Sequence, residues 1–463
     1  MIKIALHWKI LIAMFLGVIW SLISGYFGLN NFTLNWINPF GVIFINLLKL
    51  IAIPLVLFSI VTGVIGLSDP SKLGRMGLKT LGLYLITTVF SVSIGLIIVN
   101  VFVPGYNHNS DTRVNNRLEY EIWAYENNIE VKDGRNLMLD ESDEKLKKIR
   151  LKLNSDSKKK EYKEISKKQI NQKSGPLQPL VDIVPSNLIQ ALGNGKLMLQ
   201  VIFFALFFGI ALIMIPSDKT KIVRHFFHNM NDIFVKMVFI VMNFAPFFVF
   251  CLMSGVLAKS ADNFDQLIDI FIQLGFYSFV VLFGLLFMLF VFYPLLLKVF
   301  GVKIGYRDFF VGMSPAQFLA FSTSSSAATL PVTINCVNNN LKVPSSVSDF
   351  VLPIGATVNM DGTSLYQAVA VIFLAQYHDV DLSVLQQLGI VLTATLASIG
   401  SAAVPSAGLI MLMIVLDSVG LNPIWVAIVF PVDRILDMCR TVINVTSDAT
   451  VSAIIAKTEK LID

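Results

Sequence analysis

Long apolar runs recur along the first two thirds of the chain, at about 8–27, 40–67, 78–104, 182–215, 230–257 and 266–300. Each reaches the roughly 20 residues that a helix needs to cross a hydrocarbon core, so six ordinary transmembrane helices are expected. After Arg307 the pattern changes, and apolar stretches are interrupted in the middle by small and polar residues. Ser322-Thr323-Ser324-Ser325-Ser326 precedes Ala327-Ala328-Thr329-Leu330-Pro331, and Asn359-Met360-Asp361-Gly362-Thr363 divides the apolar run over 350–373. Small residues over 398–408 divide another run, and the last segment, from about Pro423, carries a polar stripe. Irregular backbone at membrane depth survives only where protein buries it or it lines a cavity. Interrupted segments in corresponding positions of two halves mark the binding region of secondary transporters. The order here is broken segment, broken helix, broken segment, striped helix, an internal repeat of architecture.

The stripe consists of Asp433, Asp437, Arg440, Asn444 and Asp448, which share one narrow face at about 100° per residue. An ionised side chain at bilayer depth costs about 2.5–3.5 kcal/mol even on lenient insertion scales, so the stripe must face protein, an ion pathway or a ligand. In the broken helix, Gly362 allows unwinding, and freed carbonyls beside Asp361 suit a hard, oxygen-preferring cation; sodium fits. An Asp-Gly turn between two helices is the alternative, and the uninterrupted apolar flanks oppose it. Asp361, Asp437 and Asp448 against Arg440 leave surplus negative charge when ionised, which also favours bound cations. Arg440 offers a planar fork that matches a carboxylate, either that of an anionic substrate or that of Asp437 one turn away in a standing salt bridge. Pro331 and Pro405, at comparable distances beyond the two Ser-rich breaks, point to re-entrant hairpins.

Composition agrees with a membrane solvent. The chain has 463 residues, 55% hydrophobic and 14% charged, with mean hydropathy +0.70, against about 25% charged in an average soluble domain. Much of the charge lies between Asp111 and Lys173. Lys3 and Lys9 ahead of the first apolar run read as the flank of an uncleaved first helix rather than of a signal peptide. Lys72, Arg75 and Lys79, then Lys219, Lys221 and Arg224, then Lys298, Lys303 and Arg307 follow the second, fourth and sixth runs, which predicts a cytoplasmic amino terminus. The charged block then lies outside; it exceeds the length of about 60 residues over which the charge rule operates. It reads as an inert insertion, a solvated helix or a disordered segment around Lys158-Lys159-Lys160.

The net charge of +5 belongs to these short loops and implies no nucleic acid. Cys251, Cys336 and Cys439 read as packing residues. No Gly-x-x-x-x-Gly-Lys-Ser/Thr loop is present, the five histidines form no metal set, and the Ser-rich tip has no His or Lys partner. ATP-driven transport, metalloenzyme chemistry and proteolysis are therefore not expected, and the chain is read as a non-enzyme.

Four stretches together resemble the sodium-coupled dicarboxylate/amino acid symporters that include the glutamate (excitatory amino acid) transporters. They are Ser324-Ser325-Ser326 with Thr329-Leu330-Pro331, residues 359–363, residues 398–408, and residues 437–448. The resemblance covers nearly all of the chain outside the charged block. It implies an all-α polytopic membrane protein of eight transmembrane helices plus two re-entrant helical hairpins, a homotrimer in the cell membrane. The expected organisation is helices one to three over 1–104, the external insertion over 105–176, helices four and five over 177–257 as scaffold, and helix six over 258–305. Hairpin 1 (about 306–338), broken helix seven, hairpin 2 (about 386–418) and helix eight then form a transport core over 306–463.

By the same resemblance Arg440 meets the substrate side-chain carboxylate, Asp437 its amino group, and Thr441 and Asn444 its main carboxylate region, while Ser325, Ser326, Thr363 and Val404 complete the pocket. Sodium falls to three sets: Gly355, Asn359 and Asn444 with Asp448; Thr357, Met360, Ser398, Ile399 and Ser401; and Tyr84, Thr87 and Thr88 with Asn359 and Asp361. Some positions depart from the family pattern. Ser324 and Met438 stand where relatives carry an extra Arg, a role assigned here to Arg434; Gln367 stands where the animal transporters carry a proton-binding Glu; Ala403 and Ser406 replace glycines. The expected activity is inward sodium-coupled symport of aspartate or glutamate, with a C4-dicarboxylate or neutral amino acid symporter as alternatives and an ion channel as the reading from another class.

Overall fold

The computed structural model describes residues 6–66, 76–106, 110–127, 129–139, 146, 184–193, 198–260, 264–399 and 407–462. Every regular element among the described residues is helical, as expected where no water is present to satisfy a backbone and each segment must bond to itself. The helices are α1 (Leu6–Tyr26), α2 (Asn38–Gly66), α3 (Leu78–Phe102), α4 (Ser110–Glu126), α5 (Met198–Met214), α6 (Ser217–Asn243), α7 (Ala245–Ser260) and α8 (Phe264–Phe287). They continue with α9 (Tyr293–Val299), α10 (Tyr306–Thr323), α11 (Ser326–Asn335), α12 (Ser345–Val358), α13 (Asp361–Tyr377), α14 (Val384–Ile399), α15 (Ala407–Ser418) and α16 (Val426–Thr458).

Two packed groups emerge. In the first, α7 lies against α1 and α2, and α2 also packs on α5 and α6. In the second, α13 and α16 form a spine: nearly every side chain of α13 is buried, and α3, α8, α14 and α15 surround it, while α10 to α12 pack on α16. On the outside, Leu78, Leu85, Ile86, Val89, Phe90, Ile97 and Val101 of α3 form an exposed apolar stripe, as do Phe276, Phe279, Phe283 and Phe287 of α8. Faces of this kind are solvated by lipid rather than water. Among the described residues, Leu78–Phe102 and Asp269–Val299 are each long and apolar enough to cross a bilayer, and Ser217–Val241 with Ala245–Gly255 do so as a pair bent by 61°.

That bend changes the expected span at 230–257. Helix α6 already begins at Ser217, because Lys219, Lys221 and Arg224 occupy positions in the first turns of a helix that the apolar window excluded, and the chain breaks at Phe244 ahead of Pro246. The run expected at 266–300 is a continuous helix with one widened turn at Met288–Phe292, where the Tyr293 N–H bonds five residues back to Met288. Pro294 accounts for it: it has no N–H, and its ring would strike the carbonyl of residue 290 in a regular turn.

Two of the interrupted segments form packed helix pairs where they are described. Helix α10 ends at Ser324, which adopts a left-handed φ of 51°, and α11 starts with Ser325 as N-cap, its side chain accepting from the Ala328 N–H at 3.2 Å. Helices α14 and α15 pack as the second pair; its tip lies outside the described residues.

The first part of the charged insertion packs on the core, while the run at Lys158-Lys159-Lys160 lies outside the described residues. Arg117 of α4 is fully buried and places all five N–H groups. Its Nε reaches Glu121 at 2.8 Å, Nη1 reaches Asp133 at 2.5 Å and the Asp379 carbonyl at 3.0 Å, and Nη2 reaches Asp133 at 2.8 Å and the Arg135 carbonyl at 2.9 Å. Asp379 lies two residues beyond the end of α13, so this guanidinium fastens the insertion to the core. Asn116 bonds to the Tyr377 carbonyl at 3.0 Å, and Tyr120 and Trp123 pack on Trp425, itself stacked on His378 at 3.5 Å. Burial opposes the charge of Asp133, but the bonds from Arg117 outweigh it and hold this carboxyl below its ordinary range. A depressed acid stabilises the fold above its unfolded value and ceases to do so as pH falls through its folded one.

Truncating Arg117 strands two buried carboxylates, a loss of about 3–5 kcal/mol for comparable pairs. Arg117→Ala is therefore expected to raise amide hydrogen exchange over residues 110–139 at least roughly tenfold at neutral pH, measured by mass spectrometry; wild-type protection should weaken only at strongly acidic pH.

Candidate functional site

The break in the seventh long segment is built by a few residues. Helix α12 closes with the Asn359 N–H on the Gly355 carbonyl at 2.9 Å, Asn359 and Met360 leave helical geometry (φ −103°, ψ 112° and φ −135°, ψ 56°), and α13 begins at Asp361. The Gly362 N–H, one of the donors that a helix N-terminus leaves free, goes to the Asn444 side-chain oxygen at 2.8 Å. Asn444 also donates to the Thr363 hydroxyl at 3.4 Å. A Cβ on residue 362 would stand 2.5 Å from the Arg440 carbonyl oxygen. Glycine there lets α13 touch α16, and Asn444 locks the contact.

Two carboxylates flank the break. Asp361 Oδ1 accepts from Thr88 at 2.8 Å and Thr87 at 3.3 Å, Oδ2 accepts from Ser447 at 2.7 Å and Tyr293 at 3.0 Å, and its carbonyl accepts from Ser91 at 2.7 Å. Asp448 accepts from the Asn359 amide at 2.8 Å. It lies so close to α12 that a Cβ on Gly355 would run into its Oδ1 and into the Tyr84 hydroxyl, which is bonded to the Val351 carbonyl at 3.1 Å. Both carboxylates are buried, and among the described residues neither forms an ion pair with Lys, Arg or His. The buried Asn359 side-chain oxygen has no partner either. Oxygen acceptors with uncompensated charge and an orphaned carbonyl fit a small hard cation.

Arg440 stands on the other side of the break, fully buried. Its Nη2 pairs with Asp437 at 2.8 Å and Asp433 at 2.9 Å, and its guanidinium centre lies 3.8 Å from the Tyr366 ring centroid. The standing salt bridge to Asp437 is present, yet Nε and Nη1 have no partner among the described residues. Gly408 of α15 lies beside this open edge, where a Cβ would be 3.2 Å from Nη1. Buried charged donors without acceptors are costly, so this edge calls for an anion. The second Asp437 oxygen faces Arg434 Nη1 at 3.4 Å.

Other expected residues fall as follows. Thr441 is buried beside the site with its hydroxyl on the Asp437 carbonyl at 2.8 Å. Ser325 and Ser326 sit at the turn of the first hairpin, whose helices pack on α16. Thr357 is exposed and bonded to its own helix, Met360 is buried in the break, and Ser398 donates to the Thr395 carbonyl at 2.7 Å near the end of α14, which ends at Ile399 and touches α12. Ser401 and Val404 lie outside the described residues. Sequence reasoning passed over Tyr366, Tyr293 and Ser447. A phenol in an otherwise apolar run, twice near a proline or a glycine break, is the signal that would have found the tyrosines.

The family model of the sodium:dicarboxylate symporter family matches residues 6–458. The chain belongs to the sodium:dicarboxylate symporter family. Relatives of this family include the rabbit (Oryctolagus cuniculus) excitatory amino acid transporter 3, 33% identical over 98% of this chain and 86% of that protein. The proton/glutamate-aspartate symporter of Escherichia coli is 29% identical over 100% and 94%. The proton/sodium-glutamate symport protein of Geobacillus stearothermophilus is 31% identical over 99% and 95%. For a sodium:dicarboxylate symporter, the cation-poor carboxylates and the open guanidinium are the two features of the core that match the family's description.

The purified protein is expected to gain thermal stability when sodium chloride replaces potassium chloride. Gly355→Ala, whose Cβ forces Asp448 and Tyr84 away from α12, should lose most of that gain, as read by a thermal-shift assay in detergent.

Proposed function

We propose that this protein carries an acidic amino acid, aspartate or glutamate, into the cell together with sodium ions, by alternating access. The reading rests above all on Arg440, whose Nε and Nη1 edge is buried and unpartnered beside Asp437. A side-chain carboxylate on that edge and an ammonium group on Asp437 would complete both charges, with Asn444, Thr441, Thr363 and the Ser325-Ser326 turn around the main carboxylate. In this reading Val404, which lies outside the described residues, would complete the pocket. The names of the curated relatives, which concern glutamate and aspartate, point the same way.

Sodium would occupy the place between Asp448, Asn359, Asn444 and the Gly355 carbonyl. A second ion would use Asp361 with Asn359, Tyr84, Thr87 and Thr88, and a third Thr357, Met360, Ser398, Ile399 and Ser401. Moving one negative charge inward against 100 mV costs about 2.3 kcal/mol, which sodium entry offsets. The architecture in this reading is eight spans and two re-entrant hairpins in a homotrimer, with the amino terminus in the cytoplasm. Helices α10 to α16 with α3 form the moving part, and the group around α2 and α7 forms the scaffold.

Purified protein in liposomes should take up labelled aspartate or glutamate under an inward sodium gradient and far less without one, with succinate and serine as comparisons. Sodium-independent behaviour toward all four would sink the proposal, and preference for succinate would move it to the dicarboxylate reading. Arg440→Lys, which keeps charge but loses the fork, should raise the half-saturating substrate concentration by roughly 10- to 100-fold. Arg434→Ala should weaken aspartate binding severalfold by freeing one oxygen of Asp437; unchanged affinity would remove Arg434 from the site.

A further inference from the structure

We infer that Tyr293 and Ser447 are positioning residues for sodium, acting by holding the far oxygen of Asp361 so that the near one is presented to the ion. The inference rests on the reading of Asp361 as a sodium ligand and concerns two side chains that this reading does not use. Asp361 is fully buried, and its carboxylate is shared between two pairs of hydroxyls. Thr88 and Thr87, both on α3, serve Oδ1 at 2.8 and 3.3 Å; Ser447 on α16 and Tyr293 on α9 serve Oδ2 at 2.7 and 3.0 Å.

The two pairs are not equivalent. Thr87 and Thr88 belong with the groups proposed to ligate the ion, their hydroxyl oxygens free to turn a lone pair toward it, and the Thr87 proton has the Tyr84 carbonyl at 3.1 Å as a nearer acceptor than Oδ1. Tyr293 and Ser447 lie on the opposite oxygen and keep their bonds when the ion arrives. With Oδ2 occupied by two donors, Asp361 offers a cation one oxygen rather than two. That suits a small monovalent ion completed by hydroxyls and carbonyls, whereas calcium frequently takes a carboxylate through both oxygens.

The backbone is shaped for this task on both sides. The widened turn at Met288–Phe292 immediately precedes Tyr293. One extra residue in a turn rotates all that follows by about 100°, so a regular helix would aim Tyr293 elsewhere. On α16, Ser447 and Asp448 are consecutive and serve the two proposed cation places, Ser447 through Asp361 and Asp448 through Asn359. Tyr293 and Ser447 are both buried, and each makes its bond to Asp361 from a different helix. Outer partners of this kind orient a ligand, and losing one typically costs about 10- to 100-fold in metal affinity.

The test uses Tyr293→Phe, which keeps the ring, and Ser447→Ala, which removes one oxygen, singly and together in the full chain, with Asp361→Asn as reference. Two quantities are measured: the sodium dependence of aspartate and glutamate uptake into liposomes, and the sodium concentration that half-stabilises the substrate-free protein in a thermal-shift titration against choline chloride. Each single variant should raise half-saturating sodium roughly tenfold in both assays, and the double variant further. Maximal rate and substrate half-saturation at saturating sodium should stay within about twofold of wild type. Unchanged half-saturating sodium in the folded variants, or a fall in maximal rate alone, overturns the inference. If instead Asp361→Asn keeps wild-type sodium dependence, the assignment of Asp361 itself fails. Should one variant not fold, the other decides the question by the same readouts.

Discussion

Asp361, Asp433, Asp437, Arg440 and Asp448 are all buried within a bundle whose outer faces are lined with Phe, Leu, Ile and Val, and the cost of holding those charges away from water governs the rest of the structure. Coulomb attraction repays desolvation only when geometry is good and the remaining lone pairs and protons are satisfied. The protein meets that demand unevenly. Arg440 has two carboxylates on one nitrogen and none on the other two, while Asp361 and Asp448 have hydroxyl and amide donors but no cation. Negative charge is in surplus overall while one edge of Arg440 lacks an anion, which is how a site behaves when ions and an anionic substrate supply the missing partners.

The break between α12 and α13 makes this economy possible because it places several backbone and side-chain groups where regular helices would place none. Asn359 turns toward Asp448, Asp361 turns toward α3 and α9, and Gly362 binds Asn444, all within four residues. Close contact is essential to each. Side chains at 355 or 362 would push α12 or α13 away from Asp448 or from the Arg440 backbone of α16. The free donors at the start of α13 are thus spent on Asn444 rather than on water.

Much of this was legible in the sequence, and the reasons differ by residue. A charge in an apolar run has few explanations, so Asp361, Asp437, Arg440 and Asp448 declared themselves, as did the break around Gly362. Hydroxyls are harder to read, since in membrane helices they commonly bond back to their own carbonyls, as Thr446 does to Val442 and Thr450 to Thr446. Ser447, between them in the same helix, instead crosses to Asp361, and only the packing of three helices reveals it. The packing of the first part of the insertion was not legible for another reason: composition averages the Lys-rich stretch around Lys158 with the segment that carries Arg117. A fully buried arginine with five acceptors looks, in a count of charges, like any solvated one. The span at 230–257 was placed too late because an apolar window cannot see the charged first turns of α6.

Linkage between cation and anion places follows from how few residues lie between them. Asn359 touches Asp448, Asp361 lies two residues on, Gly362 and Thr363 meet Asn444, and Asn444 is one turn from Arg440 and from Asp448 on α16. An ion that draws the Asn359 oxygen moves the same stretch whose far end borders the open guanidinium. Coupling between two sites is a free energy, and it requires an element whose arrangement both ligands bias. The two-residue break at Asn359-Met360, with α13 pinned to α16 by Asn444, is the one irregular stretch between these places, and Arg117 fastens the insertion just beyond the far end of α13. The break thus puts Asp361, Gly362 and Asn359 in contact with α16 next to both Asp448 and Arg440, whereas an unbroken helix would leave each buried charge to be compensated separately.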